Sequence, residues 1–344
     1  MPPAGGKIQN LIIGIPMLLK SITLMTVFLL GPWGAAFAIF GEVLIDGGAE
    51  PAFCEQVGRR LTSVVNVLES GDLSGERALF TSDGYDRAVD LLKRVPMENG
   101  RPTQKTPLLK LPGGGWEVRD IRVSVVLGET AENRVAAAAN PYQYLVFQLT
   151  PDGLIDDVRF ALESTHYRRL MEEGERLKDF TRRQKILQTL EIFRTAYCRK
   201  DLEYLKQVYS DDALIIVGRV LKPREDLPDG LERVGLSRDR IEFIRMSKRQ
   251  YIEALANVFQ RNAFVKVVFD SVEVAVHERD PNLYGVTLKQ NWYSSVYSDT
   301  GWVFLLWDFQ NEENPTIYVR SWQPERFPDG ALINLYEFNI IRTN

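Results

Sequence analysis

The feature that most constrains this chain is an order of elements that occurs twice. One helical pattern puts Phe53, Val57, Leu61, Val64, Val65 and Leu68 on a single face, and a second does so with Ile186, Leu190, Phe193 and Tyr197. Each is followed by an Asp-Leu pair and a short second helix, from Asp72-Leu73 to Phe80 and from Asp201-Leu202 to Tyr209. A constant offset of 129 aligns Asp72 with Asp201, Phe80 with Tyr209 and Asp83 with Asp212. Both halves then turn to strands. Ile121-Arg-Val-Ser-Val-Val126 alternates in the first, and Val272-Glu-Val-Ala-Val276 in the second. Both end in paired strands about a turn, Pro151-Asp-Gly153 in one and Asn311–Pro315 in the other, and Val158-Arg159 matches Val319-Arg320. Repetition of this kind sets the domain count before any motif is read.

The second half is longer. Leu221 to Arg240 is rich in charge, Pro and Gly and reads as a surface insertion. Ser247-Lys-Arg-Gln250 is a capping-box pattern that opens a third helix, with Ile252, Leu255, Val258 and Phe259 as its apolar face. Turn signals at Asp280-Pro-Asn282 and Ser298-Asp-Thr-Gly301 separate the strands that follow. The expected fold class is α+β, two tandem units in which helices pack on a curved antiparallel sheet. The units are placed at 46–164 and 184–330, joined by a charged helical linker at 165–183 and followed by a tail at 331–344.

The N-terminus reads as an address. Ile8 to Phe40 holds no acidic residue and one Lys, Lys20. An apolar run from Ser21 to Leu30, the Gly31-Pro32 breaker and an A-x-A site at Ala36 and Ala38 match a cleaved signal peptide at 1–38. The pattern is more regular if it starts at Met17. The rival is an uncleaved anchor, because Ser21–Phe40 just reaches the roughly 20 apolar residues that a span needs. The protein is therefore expected to be exported, periplasmic or associated with the cell envelope, and to meet a membrane only if this segment is kept. Export would allow Cys54 and Cys198, the only two cysteines, to pair.

The second half resembles the nuclear transport factor 2-like (SnoaL-like) superfamily, and more narrowly its exported Bacteroidota members. The residues that carry the resemblance are Tyr209-Ser-Asp-Asp-Ala-Leu-Ile-Ile-Val217 and Tyr318-Val-Arg-Ser-Trp-Gln-Pro-Glu325. It covers roughly Lys185–Glu325, and the first half follows it only in outline. The resemblance implies cone-shaped units, a pocket between sheet and helices, and self-association through the sheets. It also implies that acid–base chemistry with pocket Asp, Tyr and His residues is open to such a scaffold.

Aromatics are dense in the second half, at Trp292, Tyr293, Tyr297, Trp302, Trp307, Tyr318 and Trp322. Strand alternation puts Tyr318, Arg320 and Trp322 on one face. An Arg between two aromatics can grip a carboxylate or stack on a planar ligand. The plainer reading is a wide core with Arg320 paired to an acid such as Asp308. Asp308 lies in the apolar run Val303–Phe309, which makes it the expected buried carboxylate for proton transfer, with Tyr197 on the first helix of this half as its hydrogen-bond donor. The alternative is that Asp308 ends a strand at the Gln310-Asn311 turn. Asp211 and Asp212 read as turn residues rather than pocket acids. His277 and His166 lie at a turn and in the linker, so a dehydratase-type mechanism lacks its histidine.

Composition removes other classes. A formal charge of −4 gives no basic field for nucleic acid. Two His and two Cys leave no metal or iron–sulfur ligand set, and no cofactor is expected. Pro112-Gly-Gly-Gly115 lacks the Lys-Ser/Thr of a phosphate-binding loop. Three functions remain. The first is a non-catalytic binding module whose pocket takes a small apolar or planar ligand or a peptide, lined by Arg320, Trp322, Tyr318, Trp307, Trp292 and Tyr297. The second is a cofactor-free acid–base enzyme using Asp308 and Tyr197. The third is an assembly protein that uses its sheets as a dimer or partner interface.

Overall fold

In the computed structural model, residues 41–125, 142–162, 180–220 and 241–338 are described. The N-terminal segment, the 221–240 insertion, His166 and most of the linker lie outside them.

The first half runs β1 (Glu42–Ile45), α1 (Pro51–Asn66), a 3₁₀ turn (Ser74–Leu79), α2 (Ser82–Arg94), β2 (Met97–Asn99), β3 (Thr103–Thr106), β4 (Leu108–Lys110), β5 (Trp116–Val125), β6 (Tyr142–Leu149) and β7 (Ile155–Phe160). Helix α1 begins with Pro51, where the missing N–H costs nothing. Helix α2 starts on Thr81, whose hydroxyl accepts from the Gly84 N–H at 3.0 Å. Strands β2-β5-β6-β7 form a sheet with β4 also on β5, and β1 pairs with β3. The glycines after Pro112 form the β4–β5 turn, where Gly114 and Gly115 take φ of 84° and 80°.

The second half runs α3 (Phe180–Arg199), α4 (Leu202–Val208), β8 (Tyr209–Val220), β9 (Ile241–Met246), α5 (Lys248–Arg261), β10 (Val265–Val276), β11 (Leu283–Ser294), β12 (Ser298–Asp308) and β13 (Thr316–Gln323). Asp201 caps α4 by accepting from the Tyr204 N–H at 2.9 Å. Ser247 and Gln250 form the expected capping box at α5. Six strands order as β10-β11-β12-β13-β8-β9. All neighbours are antiparallel except β13 and β8, which run parallel. The fold is thus α+β, with helices on each of two largely antiparallel sheets.

The constant-offset alignment of the halves holds through the short second helix and then ends, while the strand orders β2-β5-β6-β7 and β10-β11-β12-β13 still correspond. Phe80 makes a parallel bridge to Ile155, as Tyr209 does to Ile317. After Phe80 the chain enters α2, whereas after Tyr209 it continues as β8, so Asp83 is helical while Asp212 is in a strand. The matched dipeptides also face opposite ways. Val158 lies in the main core and Arg159 faces α3. Val319 instead joins a cluster on the outer face of the second sheet, and Arg320 turns inward over Tyr251. A one-residue slip reverses every side chain of a strand, and the register of β13 shifts between Ile317 and Val319.

Helix α3 is buried from Thr189 to Arg199 except at one half-buried position, Ile192. Toward the first sheet it presents Glu191, which accepts from Arg119 and Arg159, and Thr195, which accepts from the Phe160 N–H at 2.9 Å. Toward the second sheet it presents Phe193 and Tyr197, packed edge-on against Trp307 and Trp292. One apolar core therefore runs through both halves. Cys54 and Cys198 are buried free thiols. No helix among the described residues is long and apolar enough to cross a membrane.

Candidate functional site

The site lies on the inner face of the second sheet, under α3, α4 and α5. Tyr197 extends from α3, Tyr209 opens β8 and Tyr251 stands in the first turn of α5. The Tyr197 hydroxyl lies 3.0 Å from that of Tyr209 and 2.7 Å from that of Tyr251. Burial raises the pKa of Tyr197 and Tyr209, so these hydroxyls stay neutral.

Arg320 sits 5.1 Å above the Tyr251 ring. The residue is 6% exposed, and its Nε has no hydrogen-bond partner. No carboxylate among the described residues lies within ion-pair distance of it. Burial alone would lower its pKa, but the facing Tyr251, Tyr197 and Tyr209 oxygens raise it, so it remains a cation. Asp299, early in β12, approaches the same place. Its Oδ1 is buried without a partner, and burial raises its pKa to about 6, opposed by the charge of Arg320. Trp292 is the cross-strand partner of Asp299, and the Tyr297 ring stacks on Trp292 at 6.2 Å and 17°. Burial, with Asp299 nearby, pushes the Tyr297 hydroxyl up to about 12. The indole N–H groups of Trp292 and Trp307 are also buried and unpaired.

Of the residues expected at the site, the structure brings together Tyr197, Arg320, Trp292 and Tyr297. Trp307 and Trp322 line the same inner face, and Gly301 leaves space for the Trp322 ring, whose atoms lie 2.7 Å from where a Cβ would stand. Two do not join them. The register shift in β13 turns Tyr318 into the outer cluster, so the simple alternation with Arg320 fails. Asp308 is buried, but it ends β12 on the outer-face phase of Phe304 and Leu306, and its Oδ1 accepts from the Gln310 N–H at 2.7 Å. The hydroxyl of Tyr197 meets two tyrosines instead. Asp211 and Asp212 are exposed, Asp211 beside Lys248 at 2.7 Å. His277 accepts from the Arg279 N–H through Nδ1 at 3.3 Å.

Sequence reasoning missed Asp299, Tyr209 and Tyr251. Asp299 reads as part of a turn, yet it shares the phase of Trp307 on β12, eight positions away. Tyr209 differs from its counterpart Phe80 by one hydroxyl, which was the available signal.

A second, more polar concavity of about 450 Å³ opens beside the start of α3, with Gln148, Gln188 and Lys185 in its walls. Its floor is the network of Glu117, Arg119 and Arg159, already paired internally at 2.6 to 2.9 Å.

No family model matches the chain, and no curated protein matches it. Solved structures that resemble it include Bd1075 of Bdellovibrio bacteriovorus, 16% identical over 50% of this chain and 46% of that one, with a TM-score of 0.31. An NTF2-like family protein of Streptomyces avermitilis is 11% identical over 41% of this chain and 94% of its own, with a TM-score of 0.30. An NTF2-like protein of Cytophaga hutchinsonii is 17% identical over 41% and 97%, with a TM-score of 0.29. The chain spans about half the length of the Bd1075 chain it matches. With TM-scores this low, the fold rests on strand order and helix placement.

Proposed function

We propose that the second half is a binding module for a small planar ligand that carries a carboxylate or carbonyl acceptor. One observation supports this above the others: Arg320 is a buried cation with no ion pair and an unsatisfied Nε. Leaving a buried donor such as this Nε without an acceptor is costly, and a ligand acceptor would satisfy it. Trp292, Tyr297 and Trp322 supply flat surfaces for the ring, and Asp299 Oδ1 would take a donor from the same ligand. We further propose that the protein works after export, as its N-terminal sequence suggests.

A second reading, proton transfer, has support in Asp299. A carboxylate with a pKa near 6 beside neutral tyrosine hydroxyls suits a general base, and here Asp299 takes the place expected of Asp308. The two readings separate on one experiment. Benzoate, salicylate and 2-naphthoate are titrated against the full chain, following tryptophan fluorescence and thermal stability. Binding should quench the tryptophans, and Arg320→Ala should weaken it at least tenfold. Silence from all three probes, together with an empty native mass for protein from its own host, overturns the binding reading. Turnover lost only in Asp299→Asn favours the enzyme.

A further inference from the structure

The concavity beside the start of α3 has a polar helix face for one of its walls. Thr181, Gln184, Lys185 and Gln188 recur at the three- and four-residue spacing of a single face, and all four line it. A helix laid on a sheet ordinarily turns an apolar stripe toward it. Further along α3 the same stripe continues as Glu191 and Thr195, which close onto the first sheet. Nearer the start of the helix a cavity of about 450 Å³ remains, within the range of small-molecule sites. Much of its lining is already satisfied. Glu117 accepts from Arg119 at 2.9 Å and from Arg159 at 2.6 Å. Gln188 donates to Gln148 Oε1 at 2.9 Å, and Glu312 pairs with Arg182 at 2.7 Å. Three lining groups are left over. Gln184 Oε1 is buried with no donor. Lys185 is half-buried, and no carboxylate among the described residues lies within ion-pair distance of it. Burial lowers its pKa, opposed by the charges of Glu312 and Glu313. Glu313, exposed on the β12–β13 turn, has no ion pair among the described residues either.

We infer that this cavity is a second ligand site, and that it takes a small zwitterion, an amino acid or a short peptide. Lys185 supplies the cation for a carboxylate, and Glu313 the anion for an ammonium group. Gln184 Oε1 accepts an N–H of the same ammonium. Leu111, Pro112 and Leu187 give an uncharged side chain an apolar wall. A simple anion would leave the Gln184 acceptor and Glu313 unmatched, and a neutral ligand would cover both charges without compensating either. Lys185 and Glu313 stand too far apart to neutralise each other directly, so a ligand with both charges can bridge them. This site shares no residue with the Arg320 site, and the inference does not rest on it.

The test is calorimetric titration of the full chain with L-leucine, L-alanyl-L-leucine, N-acetyl-L-leucine and L-leucinamide. The last two keep the leucine side chain and each lose one charge. Leucine or the dipeptide should bind with a Kd below about 1 mM, and each single-charge analogue about tenfold more weakly than leucine. Glu313→Gln, at an exposed position, should erase the disadvantage of N-acetyl-leucine and leave that of leucinamide. Lys185→Met should do the reverse, and Lys185→Gln repeats the measurement if that variant loses its near-UV circular dichroism. Binding should persist in Arg320→Ala. The inference is overturned if neither zwitterion binds, or if leucine and its single-charge analogues bind alike. It is equally overturned if folded variants keep the parent's preferences, or if Arg320→Ala abolishes binding, which would place the zwitterion on the inner face of the second sheet.

Discussion

The carboxylate of Glu191, on α3, accepts a hydrogen bond from Nε of Arg159, on β7, at 3.2 Å, and both side chains are closed off from solvent. The same carboxylate accepts from Arg119 and from the Leu162 N–H at 2.9 Å. Glu117 completes the set. Removing one partner of such a group leaves buried cations undercompensated. Glu191→Gln should cost about 3–5 kcal/mol. The urea midpoint should fall while the slope is unchanged, and a change below about 1 kcal/mol would show the network to be slack.

The tyrosine cluster is asymmetric, because Tyr197 serves both of its neighbours. Tyr197→Phe leaves two buried hydroxyls without that partner and should cost about 1–3 kcal/mol. Tyr209→Phe leaves one, so it should cost less. Equal losses in chemical denaturation would mean that the hydroxyls are satisfied elsewhere.

Asp299 gives the fold a pH dependence of definite sign. Its pKa rises from 3.8 unfolded to about 6 folded, so the fold favours the protonated acid. Its stabilising contribution is fully present below pH 3.8 and is lost as pH rises through about 6. Asp299→Asn imitates the protonated form. The variant and parent should melt together near pH 4, and the variant should melt higher at pH 7.5. A gap that is constant across pH rules out burial of this carboxylate as its cause.

Gly301 should be intolerant of a side chain. A Cβ there would lie 2.7 Å from the Trp322 ring and 2.8 Å from the Gln323 carbonyl oxygen, and the backbone cannot yield as a side-chain tip can. Gly301→Ala should displace Trp322, alter its fluorescence and weaken any ligand held by Arg320. Overpacking of this kind costs about 1–3 kcal/mol.

Cys54 and Cys198 should be slow to react with a thiol reagent in the native protein, and both should titrate after unfolding. Burial raises the pKa of Cys198, which compounds its inaccessibility. A native mass two hydrogens short would instead show an oxidised pair.

Much of the fold was legible because its signals are local. The apolar stripe of α1, the Ser247–Gln250 box and the alternating strands each follow from a few adjacent residues. What the sequence could not show depends on register. One extra residue in β13 parts Tyr318 from Arg320, and the phase of β12 sends Asp308 outward and Asp299 inward. Arg320 and Trp292 could be named because an Arg and a large aromatic stand out on strands, Tyr197 because it lies on the apolar face of its helix, and Tyr297 because aromatics are dense around it. Asp299 could not, since an Asp before Thr-Gly carries the composition of a turn.

Helix α3 has consequences for how this chain can change. It closes the charged face of one sheet with Glu191 and fills the concavity of the other with Phe193 and Tyr197. Neither half is therefore a transferable cassette. A recombination that takes the first half alone leaves Arg119 and Arg159 with Glu117 but without Glu191, and one that takes the second half alone leaves Glu191 facing water. The two halves are bound to persist, or be lost, as a pair.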